Sequence, residues 1–265
     1  MAIASEGREL PSKSGWRWSL PLPSLPEGRL SRFLFEVFLV VGGYFAYHLV
    51  RGAVNGRVDV AFANAAGVIR LERSLGIFWE AQLQGLILSH DVLVSLFNWI
   101  YIWGFLPVLG GLALWIFFYR PHLFALYRNA FLISGAIGLI FFITLPVAPP
   151  RFLPDLGFID TVTQKDNIYH VLQNPSLVNE YAAMPSLHLG WSLLMGLALY
   201  RTTSLWYTKA LGLLMPILAL AAIVLTANHY LLDAVAGVVV ALVALWIAGF
   251  LNRRFEGSRF HAVLV

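Results

Sequence analysis

Two short stretches, MPSLH at residues 184–188 and HYLLD at residues 229–233, place chemically active side chains in an otherwise apolar chain. An imidazole changes charge near neutral pH and serves as nucleophile, acid or base. At membrane depth such groups are costly and persist where they face a cavity or do chemistry. His229 and Asp233 are four residues apart, so on a helix they share a face and the carboxylate can accept a hydrogen bond from one ring nitrogen. That pairing fixes the tautomer and leaves the other nitrogen free to attack. Pro185, Ser186 and His188 stand at the mouth of an apolar run. Ser186 is a natural helix N-cap there, and the free N–H groups of a helix start favour an anion.

The elements that must position these residues are membrane helices. Of the 265 residues 59% are hydrophobic and 12% charged, and the mean hydropathy is +0.73, far more apolar than a soluble domain of ordinary composition. Continuous apolar runs at 33–50, 92–118, 129–147, 182–200, 210–228 and 230–251 are mostly near the ~20 residues that span a bilayer. They predict an all-α polytopic membrane protein with six transmembrane helices. A β-barrel is excluded because the runs do not alternate with period two. The absence of cysteine removes disulfides, thiolate metal sites and a Cys nucleophile from consideration.

Basic residues orient this bundle. Arg8, Lys13, Arg17, Arg29 and Arg32 fall in the N-terminal segment, Arg120, Arg128, Arg201 and Lys209 in short loops, and Arg253, Arg254 and Arg259 at the other end. By the positive-inside rule these parts are cytoplasmic, and the two histidines share the extracytoplasmic face of what is expected to be the cell membrane. The net charge of +4 reflects these flanking residues, not nucleic-acid binding. The expected organisation is a cytoplasmic tail over 1–32, a membrane catalytic domain over 33–252 and a second tail over 253–265. Two long outer connections remain. Residues 52–91 mix apolar and polar residues as interfacial amphipathic helices do. Residues 148–184 are too long for a bare loop and predict a short lid helix at DNIYHVLQ.

MPSLH followed some forty residues later by HYLLD resembles the second and third signature motifs of the type 2 phosphatidic acid phosphatase superfamily, especially its inositol phosphorylceramide synthase-like branch. The resemblance implies that His229 is a nucleophile forming a phosphohistidine, that Asp233 orients it, and that His188 protonates the leaving oxygen. Phosphate oxygens also need donors, for which Ser186 and Arg151 are the candidates. The family's first motif pairs a Lys with Arg-Pro seven residues later. Here Thr144 and Phe152 occupy the Lys and Pro positions around Arg151, and the Ser-Arg before the third motif falls at Ala222 and Ile223. Arg73, beside Glu72, is a replacement candidate for one missing cation.

The reading is a phosphotransferase acting on a lipid phosphate or phosphodiester at the outer face, with a lipid and the membrane as partners and no metal or cofactor implied. Two alternatives stay open: a lipid phosphate phosphatase, and a non-enzymatic lipid transporter or binding protein that uses the same polar cluster for a headgroup. Each residue also has a plainer role: a hydrogen-bonded core histidine, a helix-packing Asp233, an interfacial anchor in Arg151, and an N-cap in Ser186. The aromatic cluster NWIYIW at 98–103 reads as helix packing, not a headgroup cage.

Overall fold

The computed structural model describes residues 28–53, 57–104, 106–165 and 180–254. Most of both expected tails and all of the expected lid helix at 166–173 lie outside the described residues. The helices are α1 (Arg29–Ala53), α2 (Val58–Leu75), α3 (Glu80–Leu88), α4 (Asp91–Trp103), α5 (Leu106–Tyr119), α6 (Pro121–Thr144), α7 (Thr161–Lys165), α8 (Leu187–Thr202), α9 (Trp206–Leu225) and α10 (Leu231–Arg254). Among the described residues there is no β-strand, only an isolated bridge between Val147 and Ala182.

The chain is all-α, but six spans are not found. Three helices among the described residues are long and apolar enough to cross a membrane: Leu123–Thr144, Trp206–Leu225 and Leu231–Arg254. A fourth is reached only if α4 and α5, bent by 44° at their junction, count as one broken span. The apolar runs overcounted because they included residues that are not helical. The run at 182–200 begins in extended chain, and α8 starts only at Leu187, after Pro185 and the capping Ser186. Its 16 residues reach about 24 Å, short of a hydrocarbon core of about 30 Å. The run at 92–118 breaks at Gly104, and the apolar part of α1, Phe33–Tyr47, is also too short.

Helix α8 lies at the centre, packed against α9, α10 and α6. Its buried residues, from Leu187 and Leu189 to Ala198 and Thr202, point in every direction, as expected of a helix that is apolar all round. Small residues allow the neighbouring backbones to come close. A Cβ on Gly196 of α8 would stand 2.2 Å from the Gly212 carbonyl oxygen of α9, and one on Gly237 of α10 would stand 2.1 Å from the Ser186 carbonyl oxygen. Trp191 Nε1 donates to Ser134 Oγ at 2.9 Å, joining α8 to α6. The outer helix α1 is held to α6 by a buried ion pair between Glu36 and Arg128, each of which would be costly without the other. The expected amphipathic connection forms α2 and α3, and α2 turns Ala61, Ala65 and Ile69 onto Val147, Ala148 and Tyr230.

Because Gly237 meets backbone and not a movable side chain, Gly237→Ala is expected to force α8 and α10 apart and cost about 1–3 kcal/mol. Gly111→Ala, which adds a methyl group in open space on α5, is expected to be neutral or to stabilise by up to about 1 kcal/mol. Thermal unfolding of the two variants in one detergent checks the contrast.

Candidate active site

The starts of α8 and α10 form one corner. Ser186 N-caps α8, its Oγ accepting from the Leu189 N–H at 3.5 Å, while its own N–H donates to the Asp233 carbonyl at 2.9 Å. His188 therefore sits in the first turn of α8, where its ring stacks on Tyr101 of α4 with centroids 4.6 Å apart. His229 lies in the turn just before α10, and its ring centroid is 6.0 Å from that of His188. The two histidines, 41 residues apart in sequence, thus face the same space.

The first amides of a buried helix need partners that water cannot supply. Three carboxyls meet those of α10. Asp233 Oδ2 accepts from the Tyr230 N–H at 2.9 Å, Glu80 Oε1 from Leu231 at 2.9 Å, and Glu72 Oε1 from Leu232 at 2.8 Å. Glu72, Glu80 and Asp233 are all fully buried. The Asp233 bond is the returning arm of a capping box.

The His229 ring is oriented by a backbone carbonyl. Nδ1 lies 2.7 Å from the Ala183 oxygen, and since a carbonyl only accepts, Nδ1 carries the proton and the neutral ring keeps its lone pair on Nε2. Asp233 Oδ2 is 3.6 Å from Nδ1, beyond hydrogen-bond reach but close enough to balance a positive charge on the ring. The expected His–Asp hydrogen bond is thus replaced by a carbonyl bond, with the carboxylate alongside. Ala183 is itself fixed: its N–H donates to Val147 at 3.2 Å, Val147 donates to Tyr181 at 2.8 Å, and Ala148 donates to Ala61 of α2 at 3.1 Å.

Arg151 reaches the same turn from the connection after α6. Its N–H donates to the Ala227 carbonyl at 2.8 Å, Nη1 donates to Asn228 Oδ1, Nε lies 3.5 Å from Asp160 Oδ2, and the guanidinium covers the Phe152 ring. Asn228 also donates to Thr226 Oγ1 at 2.7 Å. Ala227 has φ +53°, a left-handed conformation costing about 1–2 kcal/mol outside glycine, and it turns the chain so that Asn228 and His229 face inward. Asp160 is held in place by its neighbours: Gln84 exchanges hydrogen bonds with the Ile159 backbone at 2.8 and 3.1 Å, and Asn98 does so with Thr161. Arg73 does not follow Glu72 inward; it is exposed and lies over Phe78, 5.0 Å from the ring centre. Ala222 and Ile223 are buried in apolar packing, and Thr144 is exposed. Beside His188 opens an apolar cavity of about 570 Å³ between α4, α5, α8 and α9, lined by Tyr101, Trp115, Leu199, Met215 and Ile223 among others.

A family model described as the PAP2 superfamily matches residues 66–247, more than half of the chain. The chain belongs to the PAP2 superfamily. No curated protein and no solved structure matches it. The PAP2 match runs from α2 through most of α10 and takes in both histidines, Asp233, Arg151 and Ser186, whereas α1 lies outside it.

Within this PAP2 domain the structure adds Tyr101, from the aromatic cluster expected only to pack helices, and residues that spacing did not single out: Ala183, Asn228, Asp160, Glu72 and Glu80. The last two had a signal, as acidic side chains eight apart in an apolar helical stretch, LERSLGIFWE. Ala183 had none, because it acts through its main chain. Asn228 joins Arg151 to the His229 turn, so Asn228→Ala leaves a buried guanidinium and the Thr226 hydroxyl short of a partner. The expected loss is about 1–3 kcal/mol, measured by thermal or denaturant unfolding, and Asn228→Asp should recover part of it through the retained acceptor.

Proposed function

We propose that the protein is a lipid phosphotransferase working through a phosphohistidine at the extracytoplasmic face of the membrane, within the lipid phosphatase and phosphotransferase chemistry consistent with PAP2-superfamily membership. The observation that carries this reading is the pair of facing imidazoles, one with Nδ1 tied to the Ala183 carbonyl, beside an apolar cavity of acyl-chain character. In the first step His229 Nε2 attacks phosphorus, the bond from phosphorus to the leaving oxygen breaks, and His188 gives that oxygen its proton. In the second an acceptor alcohol attacks the phosphorus, the bond from phosphorus to His229 Nε2 breaks, and His188 takes up the acceptor's proton, returning both rings to their starting states. Asp233, beside the ring, balances the charge that His229 gains. Arg151, the Ser186 hydroxyl and the uncapped amides at the start of α8 offer donors to the phosphate oxygens.

The facing direction is supported by the ends of the helices. Arg120 before α6, Arg201 at the end of α8, Lys209 near the start of α9 and Arg253 and Arg254 at the end of α10 lie at the helix ends opposite the histidines, which is the cytoplasmic side by the positive-inside rule. Thr144, Ala222 and Ile223 at the positions of the family's other basic ligands favour a phosphodiester, with one negative charge, over a monoester with nearly two. They also favour the transferase branch over the hydrolase.

His229→Ala is expected to abolish turnover and the acid-labile phosphoenzyme. His188→Ala should lower kcat by about 10²–10⁴-fold on an alkyl leaving group and much less on an activated aryl one. Labelled lipid donors, mono- and diester, supplied to purified protein with and without inositol and other alcohols, identify the acceptor. Transfer product formed at the expense of hydrolysis is the expected outcome. Water as acceptor with every alcohol would establish the hydrolase reading instead, and lipid binding with no turnover the transporter or binding-protein reading.

A further inference from the structure

The amides that open α10 are satisfied by side chains 151 and 160 residues away in sequence. A helix start is ordinarily capped by a neighbour along the chain, and a single carboxylate is enough to complement its dipole. Here α2 and α3 each bring a glutamate, both fully buried, and each glutamate spends one oxygen on one amide. The other oxygens, Glu72 Oε2 and Glu80 Oε2, are buried and meet no donor from any other group. The two side chains are within hydrogen-bonding reach of each other, so a proton shared between the carboxyls would supply that donor.

We propose that Glu72 and Glu80 are positioning residues for His229: by gripping the first two amides of α10 through a shared-proton carboxyl pair, they set where the imidazole stands against the Ala183 carbonyl and the His188 ring. This rests on His229 being the nucleophile. The grip works through distance: the held amides belong to Leu231 and Leu232, two and three residues after His229, and the next residue, Asp233, caps Tyr230 and receives the Ser186 amide. A shift of this turn therefore moves the nucleophile, its carboxylate neighbour and the start of α8 together.

The pair also carries a pH dependence. Burial foremost, and then the facing Glu80 of α3 and Asp233 of α10, push Glu72 from its ordinary value of 4.5 up to about 8, against the lowering effect of the Leu232 amide. The Tyr230 phenol is the other titratable group within the influence of these carboxyls, and His229 reaches them through Asp233. Below pH ~8 the Glu72 carboxyl donates to Glu80. Above it two adjacent buried carboxylates repel and the grip opens. The sign for stability follows: the native state holds a proton that the unfolded chain releases, so stability declines from about pH 4.5 to about pH 8 and then levels.

The test uses the full-length protein in detergent, with kcat and KM for a lipid phosphodiester followed from about pH 6 to 9.5. Wild-type kcat is expected to fall with a midpoint near 8. Glu72→Ala should lower kcat by about 10²-fold with KM changed less than about twofold, as for a misplaced nucleophile. Glu72→Gln keeps an acceptor for the Leu232 amide and gives Glu80 a donor that cannot ionise. It should restore most of the turnover and remove the alkaline fall. A second readout needs no turnover: the rate at which diethyl pyrocarbonate modifies His229, by mass spectrometry, across the same pH range. A Glu72→Gln profile that coincides with wild type through pH ~9 in both readouts, or a Glu72→Ala variant with wild-type kcat, overturns the proposal. If Glu72→Ala does not fold, Glu72→Gln decides alone. If wild type turns over no lipid phosphate, the functional reading fails by itself, and the His229 modification profiles of wild type and Glu72→Gln still decide positioning: separated profiles support it and coincident ones overturn it.

Discussion

A helix that starts away from water must have its first amides answered by something else, and the arrangement of this protein around α10 follows from that requirement. Tyr230, Leu231 and Leu232 are answered by Asp233, Glu80 and Glu72. To deliver the glutamates, α2 and α3 have to fold back onto the bundle. Their return buries Ala61, Ala65 and Ile69 against Val147, Ala148 and Tyr230, and Ala61 in turn pairs with Ala148. That fixes the extended chain after α6 and, through Val147, the Ala183 carbonyl that orients His229. A polar need at one helix end thus determines where a distant part of the chain lies.

A second line of polar contacts reaches the same turn through the connection after α6. Gln84 and Asn98 hold the backbone around Asp160, Asp160 faces Arg151, and Arg151 meets Asn228 beside His229. Each of these side chains is buried or half-buried. Such networks are worth most when complete and cost most when one member is lost. The histidine turn is therefore held from α2 and α3 by carboxyls and, through the 150–161 connection, by amides of α3 and α4 and a guanidinium.

The meeting of the candidate residues was more legible in the sequence than the membrane crossing was. His188, His229, Asp233, Ser186 and Arg151 could be picked out because polar residues in an apolar chain are conspicuous and their spacing limits where they can meet; the structure brings all five to one corner. The start of α8 escapes hydropathy because hydropathy does not register where hydrogen bonding begins: Ala182, Ala183 and Met184 are apolar yet not helical, and a cap, not a change of polarity, starts the helix at Leu187. The bend between α4 and α5 is likewise invisible to an average over apolar residues. The partner of His229 Nδ1 was missed for a different reason, since a main-chain carbonyl leaves no trace in residue type. Arg73, the candidate for a missing cation, and Glu72 are adjacent in sequence but part company in the fold. Neighbours on a helix point about 100° apart, so one is exposed and the other fully buried.

Ala227 draws these threads into a single residue. Among the described residues it is the one non-glycine with a positive φ, it is fully buried, and its carbonyl receives the Arg151 amide. A β-branched or bulky side chain cannot adopt that backbone without severe strain and would have to be accommodated at a fully buried position, whereas glycine would fit but leave the turn looser before folding. The position thus acts as a narrow filter on variation. Sequence drift can rework the exposed apolar surfaces of α9 and α10 freely, but at the residue two places before His229 it is confined to the smallest side chains.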